Sequence, residues 1–211
     1  MQNIFLSNFA VFATWIAQIL FFVGLIPQIL LNYKLKSTSG LSELLLVGYL
    51  NGYIAYLYYT FCCNLPAAYK TIIPIATIAM LIMVFQRFYY VQKLDKKSYK
   101  ILFFYFLNFL FAISVLPLAM NYKNIVGSFL GWIMAFIWAT YQIPQIFKIF
   151  KNKTTFGYSF LLVSLIGIGD LVELTGALIL NLPMPTILNA LRGFLIYLIF
   201  CLQFWIFKKK K

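Results

Sequence analysis

Apolar residues in this chain do not alternate with polar ones at the strand period, nor do they form one narrow helical stripe. They run in blocks of about twenty, divided by short polar breaks. A block of that length crosses a hydrocarbon core about 30 Å thick as an α-helix, which satisfies its own backbone groups in lipid. The pattern predicts seven transmembrane helices, near 11–31, 43–62, 71–91, 100–120, 125–147, 159–181 and 186–207. The expected class is therefore an all-α membrane protein.

Composition supports this and narrows it. Of 211 residues, 64% are hydrophobic and 10% charged, against about 25% charged in a soluble domain. This excludes a soluble enzyme, a disordered tail and a disulfide-stapled secreted domain. There is no His, so no imidazole triad, proton relay or His–Cys zinc site exists here. Cys62, Cys63 and Cys201 have no metal or redox spacing, and we expect neither cofactor nor metal. No nucleophile–base pair is visible, and an enzyme is not expected.

The 17 Lys and Arg against 4 Asp and Glu give a net charge of +13. In a soluble chain this would suggest nucleic-acid binding. Here the charge follows membrane orientation, because cytoplasmic loops collect Lys and Arg. With the N-terminus outside and the C-terminus in the cytosol, fourteen of the seventeen basic residues fall inside. They are Lys34, Lys36, Arg87, Lys93, Lys96, Lys97, Lys100, Lys148, Lys151, Lys153 and the tail Lys208 to Lys211. The expected partners are thus the lipid bilayer and a small solute, with no nucleic acid. The opening residues lack a basic stretch, so no cleaved signal is expected. A bacterial inner membrane and an endolysosomal or vacuolar membrane both remain open.

Sliding the chain against itself by 117 positions exposes a gapless internal repeat. Ile26-Pro27-Gln28-Ile29 falls on Ile143-Pro144-Gln145-Ile146, and Asn64-Leu65-Pro66 on Asn181-Leu182-Pro183. Lys34, Lys36, Thr38, Gly40 and Ser42 fall on Lys151, Lys153, Thr155, Gly157 and Ser159. Trp15, Gly52 and Gln86 fall on Trp132, Gly169 and Gln203. Three helices per copy is an odd number, so a connecting crossing must restore the orientation, and the two units are parallel repeats. We expect a 3+1+3 arrangement: a first triple-helix repeat over 1–99, a linker helix over 100–120, and a second repeat with its basic tail over 121–211.

The Pro-Gln pair near the end of each unit's first helix, followed by Lys-x-Lys-Ser-Thr-Ser-Gly-Leu-Ser (34–42) or Lys-Asn-Lys-Thr-Thr-Phe-Gly-Tyr-Ser (151–159), resembles the PQ-loop family. That family includes the lysosomal cystine exporter, lysosomal and vacuolar cationic amino-acid exporters, SWEET sugar transporters and the KDEL receptor. Gly169-Asp170-Leu171-Val172-Glu173-Leu174-Thr175-Gly176, followed by Pro185-Thr186, resembles a segment of the cationic amino-acid exporters, with Glu173 where Asn is usual. The resemblance implies a carrier of a small polar solute, an amino acid of cationic or cystine-like type. The alternatives within it are a SWEET-type sugar facilitator and a non-transporting peptide or sorting receptor.

Proline inside a span removes a hydrogen bond and kinks the helix. Pro27 and Pro144 are expected to split their helices as hinges of an inner gate, with Gln28 and Gln145 capping the freed backbone groups. The alternative is that the prolines only shape packing. Asp170 and Glu173 lie near mid-membrane, where an ionised carboxylate costs at least about 2.5–3.5 kcal/mol, and their i, i+3 spacing puts both on one face. Arg192 is expected to pair with Glu173, which leaves Asp170 to bind a proton or meet a cation. In the first repeat Asn51, Tyr53 and Tyr56 supply the facing wall, with Tyr53 and Tyr56 aligned to Asp170 and Glu173. Trp15 and Trp132 are either interfacial anchors or a candidate outer gate. Glu43 is assigned only to the helix dipole. The functional expectation is a secondary transporter working by alternating access, coupled to protons through Asp170.

Overall fold

The computed structural model describes residues 4–90 and 96–207. Lys93, Asp95 and the Lys208 to Lys211 tail lie outside the described residues, as do the side chains of Lys96, Lys97 and Lys100. The described chain is helical, in the order α1 (Ile4–Leu35), α2 (Glu43–Cys62), α3 (Ala67–Tyr89), α4 (Lys96–Asn121), α5 (Lys123–Thr140), α6 (Ile143–Asn152), α7 (Phe160–Ile179) and α8 (Met184–Ile206). No strand occurs among the described residues. α5 and α6 are two halves of one span, Lys123–Asn152, interrupted at Tyr141 and Gln142.

Seven spans are expected from the apolar blocks; among the described residues, five helices are long and apolar enough to cross a membrane. These are α1, α3, the α5–α6 span, α7 and α8. α2 falls short because five tyrosines and Asn51 dilute its apolar residues, and in α4 the apolar described part is only Tyr105–Asn121. Large side chains such as Ile78, Phe85, Phe129, Phe136 and Trp205 stand on the outer surface, where a lipid-immersed protein places them.

The repeat recurs in the backbone. Lys36 and Asn64 adopt left-handed φ values of 47° and 52° after α1 and α2; their partners 117 positions on, Lys153 and Asn181, both have φ 50° after α6 and α7. These are the left-handed residues with which helices commonly end. Ser42 and Ser159 are N-caps whose hydroxyls accept from the amides of Leu45 and Leu162, at 3.3 and 3.2 Å. Pro66 and Pro183 precede the first turns of α3 and α8.

Packing follows the same relation. α3 packs on α1 and on α2, and α8 packs on α5 and on α7. Across the repeats α1 packs on α7, and α2 on α5, while α4 lies against α2 and α5. Glycines make the close cross-repeat approaches possible. A Cβ added at Gly52 would collide with Trp138, and one at Gly169 with Phe21. Gly52 and Gly169 are repeat partners, and so are Phe21 and Trp138. Each repeat thus presses the same aromatic position of its first helix onto the same glycine of the opposite second helix.

Candidate functional site

One end of the molecule is closed by the Pro-Gln motifs. The side chain of Gln28 donates from Nε2 to the Gly157 carbonyl (3.0 Å) and accepts at Oε1 from the Ser159 amide (2.7 Å). Gln145 does the same to the other repeat, donating to the Gly40 carbonyl (3.0 Å) and accepting from the Ser42 amide (2.7 Å). Gly40 and Gly157, also repeat partners, meet backbone to backbone, with no space for a Cβ at either. Both glutamines are fully buried. The expectation that they cap freed groups of their own helices is corrected: each clamps the loop of the opposite repeat. The loop N–H and C=O lie beyond any helical ladder, and a primary amide is one of the few side chains that satisfies both at once.

Further contacts reinforce this end. Gln86 and its partner Gln203 donate to the carbonyls of Ile29 and Ile146, at 3.0 and 2.9 Å. Lys148 Nζ donates to the carbonyls of Ser39 and Leu41, both at 2.6 Å. Glu43, assigned from sequence only to the helix dipole, forms an ion pair with Arg87.

The two prolines behave differently. The expected split occurs at Pro144, which opens the first turn of α6, whereas Pro27 lies within an uninterrupted α1. Arg192 bonds the chain at the break. Its Nη1 donates to the Trp138 carbonyl, which in a continuous helix would take the Gln142 N–H, and to Gln142 Oε1 (2.9 Å). Its Nη2 donates to Asn189 Oδ1 (2.7 Å). The residue equivalent to Arg192 in the first repeat is Ile75, which has no side-chain donor. The positions matching Tyr141 and Gln142 are Gly24 and Leu25, and α1 is continuous there.

Between the repeats, at mid-height, lies a buried cavity lined by Phe21, Tyr49, Tyr53, Tyr56, Trp138, Tyr141, Gln142, Asp170, Asn189 and Arg192, among others. Its free volume is about 30 Å³, enough for water and too small for an organic solute. Tyr53 and Tyr56 pack edge-on against Trp138, with ring centroids 5.5 and 5.1 Å apart. The Asp170 carboxylate rests on the α8 backbone, where a Cβ at Gly193 would strike it. It is 4% exposed and makes no hydrogen bond among the described residues.

Glu173 is held differently from Asp170. Its Oε1 accepts from Gln18 Nε2 (2.9 Å) and from the Tyr56 hydroxyl (3.1 Å), and the Tyr69 hydroxyl faces the same carboxylate. The expected Glu173–Arg192 pair is not formed; Arg192 spends its donors on Trp138, Gln142 and Asn189. Tyr56 and Glu173 are repeat partners that bond each other, which places them on the approximate two-fold axis relating the repeats. A carboxylate at such a position has two neutral donors rather than a counter-ion.

Asn51 does not reach this cavity. It lines a separate apolar space of about 170 Å³ between α2, α4 and α5, with Tyr58, Phe111 and Ile133. A one-position step from Gly52 turns it from the Trp138 contact to the side of α2 that faces α4 and another part of α5. Trp132 is 49% exposed on the outer surface and Trp15 is half-buried. Sequence reasoning missed Gln18, Tyr69, Trp138, Tyr141, Gln142 and Asn189. For Trp138 a signal existed: the repeat pairs it with Phe21, and the glycine opposite each is itself repeated. Cys62, Cys63 and Cys201 are free thiols.

Comparison with known proteins agrees with these features. The PQ loop repeat family matches residues 9–69 and 126–186, one match in each half. The vacuolar histidine transporter YPQ3 of Saccharomyces cerevisiae is 33% identical over 98 residues, covering 46% of this chain and 33% of the relative. The aligned part thus spans about a third of that curated relative's length. Two family matches over more than half the chain, with both Pro-Gln pairs clamping repeat-related loops, show that this transmembrane chain with an internal repeat belongs to the PQ-loop repeat family.

Proposed function

We propose that this chain is a secondary transporter that carries an amino acid, of cationic or cystine-like type, by alternating access with proton coupling. The observation that carries the proposal is Asp170: a buried carboxylate without a hydrogen-bond partner among the described residues, in a small cavity between two repeats. A buried carboxylate held in that way is expensive unless it takes a proton or a cationic ligand. The cavity admits water but no solute, so a substrate enters only when the repeats move apart at one end. The Gln28 and Gln145 clamps are the inner gate in this reading, and the state described has that gate closed.

The architecture proposed is the 3+1+3 one, with α1–α3 and α5–α8 as repeat bundles over 1–99 and 121–211 and α4 as linker. It is supported by α3 and α8 bridging within the repeats while α4 packs on α2 and α5. The proposed orientation puts the N-terminus outside or in a lumen and the clamp end in the cytosol, as the basic residues suggest. Arg192, Tyr53 and Tyr56 form the remainder of the pathway: a cation for a substrate carboxylate, and an aromatic and hydroxyl wall. The amino-acid assignment draws on the family and on the similarity to a vacuolar histidine transporter.

The test is uptake into proteoliposomes of radiolabelled amino acids and sugars, with and without a pH gradient. The proposal expects saturable amino-acid uptake, faster with a proton gradient, and at least about tenfold slower in Asp170→Asn. Sugar uptake indifferent to pH would instead indicate a facilitator. Ligand binding without flux would indicate a receptor.

A further inference from the structure

The two carboxyl groups of α7 differ in what surrounds them. Asp170 lines the cavity; Glu173, about one turn further from the clamps, does not, and it is fully buried. Its Oε1 accepts from Gln18 Nε2 (2.9 Å) and from the Tyr56 hydroxyl (3.1 Å), which fills both lone pairs of that oxygen. Its Oε2 is buried without a hydrogen bond, and so is Oε1 of the same Gln18 side chain. The Tyr69 hydroxyl faces this carboxyl group and is also unsatisfied. The neighbouring Tyr59 hydroxyl is committed to Thr186 (2.9 Å).

This inventory closes in only one protonation state. With Glu173 ionised, two acceptors, its Oε2 and Gln18 Oε1, share one donor, the Tyr69 hydroxyl, and one of them stays orphaned whichever way that hydroxyl turns. A proton on Oε2 satisfies all three. The acid O–H donates to Gln18 Oε1, its oxygen accepts from Tyr69, and the acid and the amide are joined by two hydrogen bonds in a ring. The proton also removes a buried charge that has no counter-ion. The groups that act on Glu173 are Gln18 from α1, Tyr53, Tyr56 and Tyr59 from α2, Tyr69 from α3, Asp170 on α7 and Arg192 from α8. Arg192 is the cation among them, and its donors go to Trp138, Gln142 and Asn189. The equivalent seam between α2 and α5 carries Tyr56 and Ala135 at the positions of Glu173 and Gln18, so the fold packs this seam without an acid–amide pair.

We propose that Glu173 holds a proton in the closed state, and that this proton latches α7 of the second repeat to α1 of the first through Gln18. The proton comes from water and returns to it. Its loss breaks the Oε2–Gln18 contact, sets two acceptors against each other and leaves a bare charge, which favours parting of the α1–α7 seam. Along α7 the latch lies on the far side of Asp170 from the clamps. Proton and solute then use different groups: Glu173 takes the proton, and Asp170, in the cavity, meets the solute. The inference deepens the proton coupling proposed above and rests on that reading only for what the latch serves.

Glu43 and Glu173 are the two glutamates of the chain, so Glu43→Gln leaves a single glutamate carboxyl carbon to observe. Carbon NMR of labelled glutamate, on the full chain in lipid nanodiscs, reads its protonation directly. At neutral pH the acid position is expected, together with a carboxylic-acid carbonyl stretch in the infrared. Gln18→Met offers the acid neither donor nor acceptor and should move that stretch to higher frequency. Glu173→Gln can form the same two-bond pair as an amide and should keep the fold. The folded wild type holds a proton that the unfolded chain gives up, so its melting temperature falls as pH rises; in Glu173→Gln this slope should be shallower by about 3–5 °C per pH unit.

A carboxylate signal at neutral pH would overturn the proposal. So would a Gln18→Met spectrum identical to that of wild type, or a Glu173→Gln melting temperature as dependent on pH as that of wild type. Should Glu173→Gln fail to fold, the NMR and infrared readings on unaltered Glu173 decide. None of these measurements needs a substrate. Absence of flux in proteoliposomes would defeat the transport reading and leave the latch standing; a carboxylate signal in a protein with flux would do the opposite.

Discussion

The first and second repeats share a scaffold and differ in what they bring to the cavity. Where backbone takes part in a clamp or a close approach between the repeats, the two copies agree: Gln28 and Gln145, Gly40 and Gly157, Ser42 and Ser159, Gly52 and Gly169. Where it faces the cavity, they part. Tyr53 is matched there by Asp170 and Phe21 by Trp138, while the cavity residue Tyr56 is matched by Glu173, to which it bonds. At the edge of the clamp end the Glu43–Arg87 ion pair of the first repeat is replaced by Phe160 and Phe204, whose rings pack 5.1 Å apart. Backbone contacts near a two-fold axis admit few side chains, so both copies keep them. A cavity needs complementary walls, and the copies are free to specialise.

The comparison breaks first at the clamps. Each glutamine satisfies a loop N–H and a loop C=O that no other group reaches, and an orphaned buried group costs about 1–3 kcal/mol. Gln28→Ala and Gln145→Ala are each expected to lower stability by about 3 kcal/mol, with the double variant lower still, read as thermal unfolding in detergent. Equal single effects support an equivalent pair; an effect at one site alone would show that only one clamp bears load.

Next come the glycine seams. Gly52→Ala and Gly169→Ala each drive a Cβ into a buried ring, and overpacking costs about 1–3 kcal/mol. Comparable losses of melting temperature are expected, with loss at Gly52 the larger because Trp138 fills its space more completely than Phe21 fills that of Gly169.

A smaller effect separates the two carboxylates. Tyr56→Phe removes one of the donors to Glu173 and is expected to cost about 1 kcal/mol. Tyr53→Phe removes no carboxylate contact among the described residues and should be close to neutral in the same unfolding assay.

The smallest effect is expected where the repeats solved one packing problem in two ways. The Glu43–Arg87 pair is partly exposed, at 30% and 21%, so its net worth is about 1 kcal/mol or less. Arg87→Ala should cost that much by thermal unfolding, while Glu43→Phe with Arg87→Phe, which copies the second repeat, should recover it.

Much of this was legible before the fold was known. The 117-residue period, the Pro-Gln pairs, and Asp170 and Glu173 in one apolar block are linear features of the chain. The partners of those residues were not legible. Arg192 bonds Trp138, Gln142 and Asn189 rather than Glu173, and Gln18 reaches Glu173 from 155 positions away. Asn51 shares a helix with Tyr53 and faces another cavity. Depth in the membrane is readable from the count of residues along a helix; the direction a side chain takes depends on how that helix is rotated against its neighbours.

The sequence by itself therefore determined the helices, their duplication and which few polar residues must be dealt with in the membrane, because the cost of burying backbone and charge is paid locally. The tertiary structure decided who deals with them. It set each glutamine on the opposite loop, Tyr56 on Glu173 and Arg192 on a broken helix, and left Asp170 without a hydrogen bond among the described residues. Those choices follow from the crossing of α1 with α7 and α2 with α5 about a shared axis, a relation between helices that no single stretch of sequence contains.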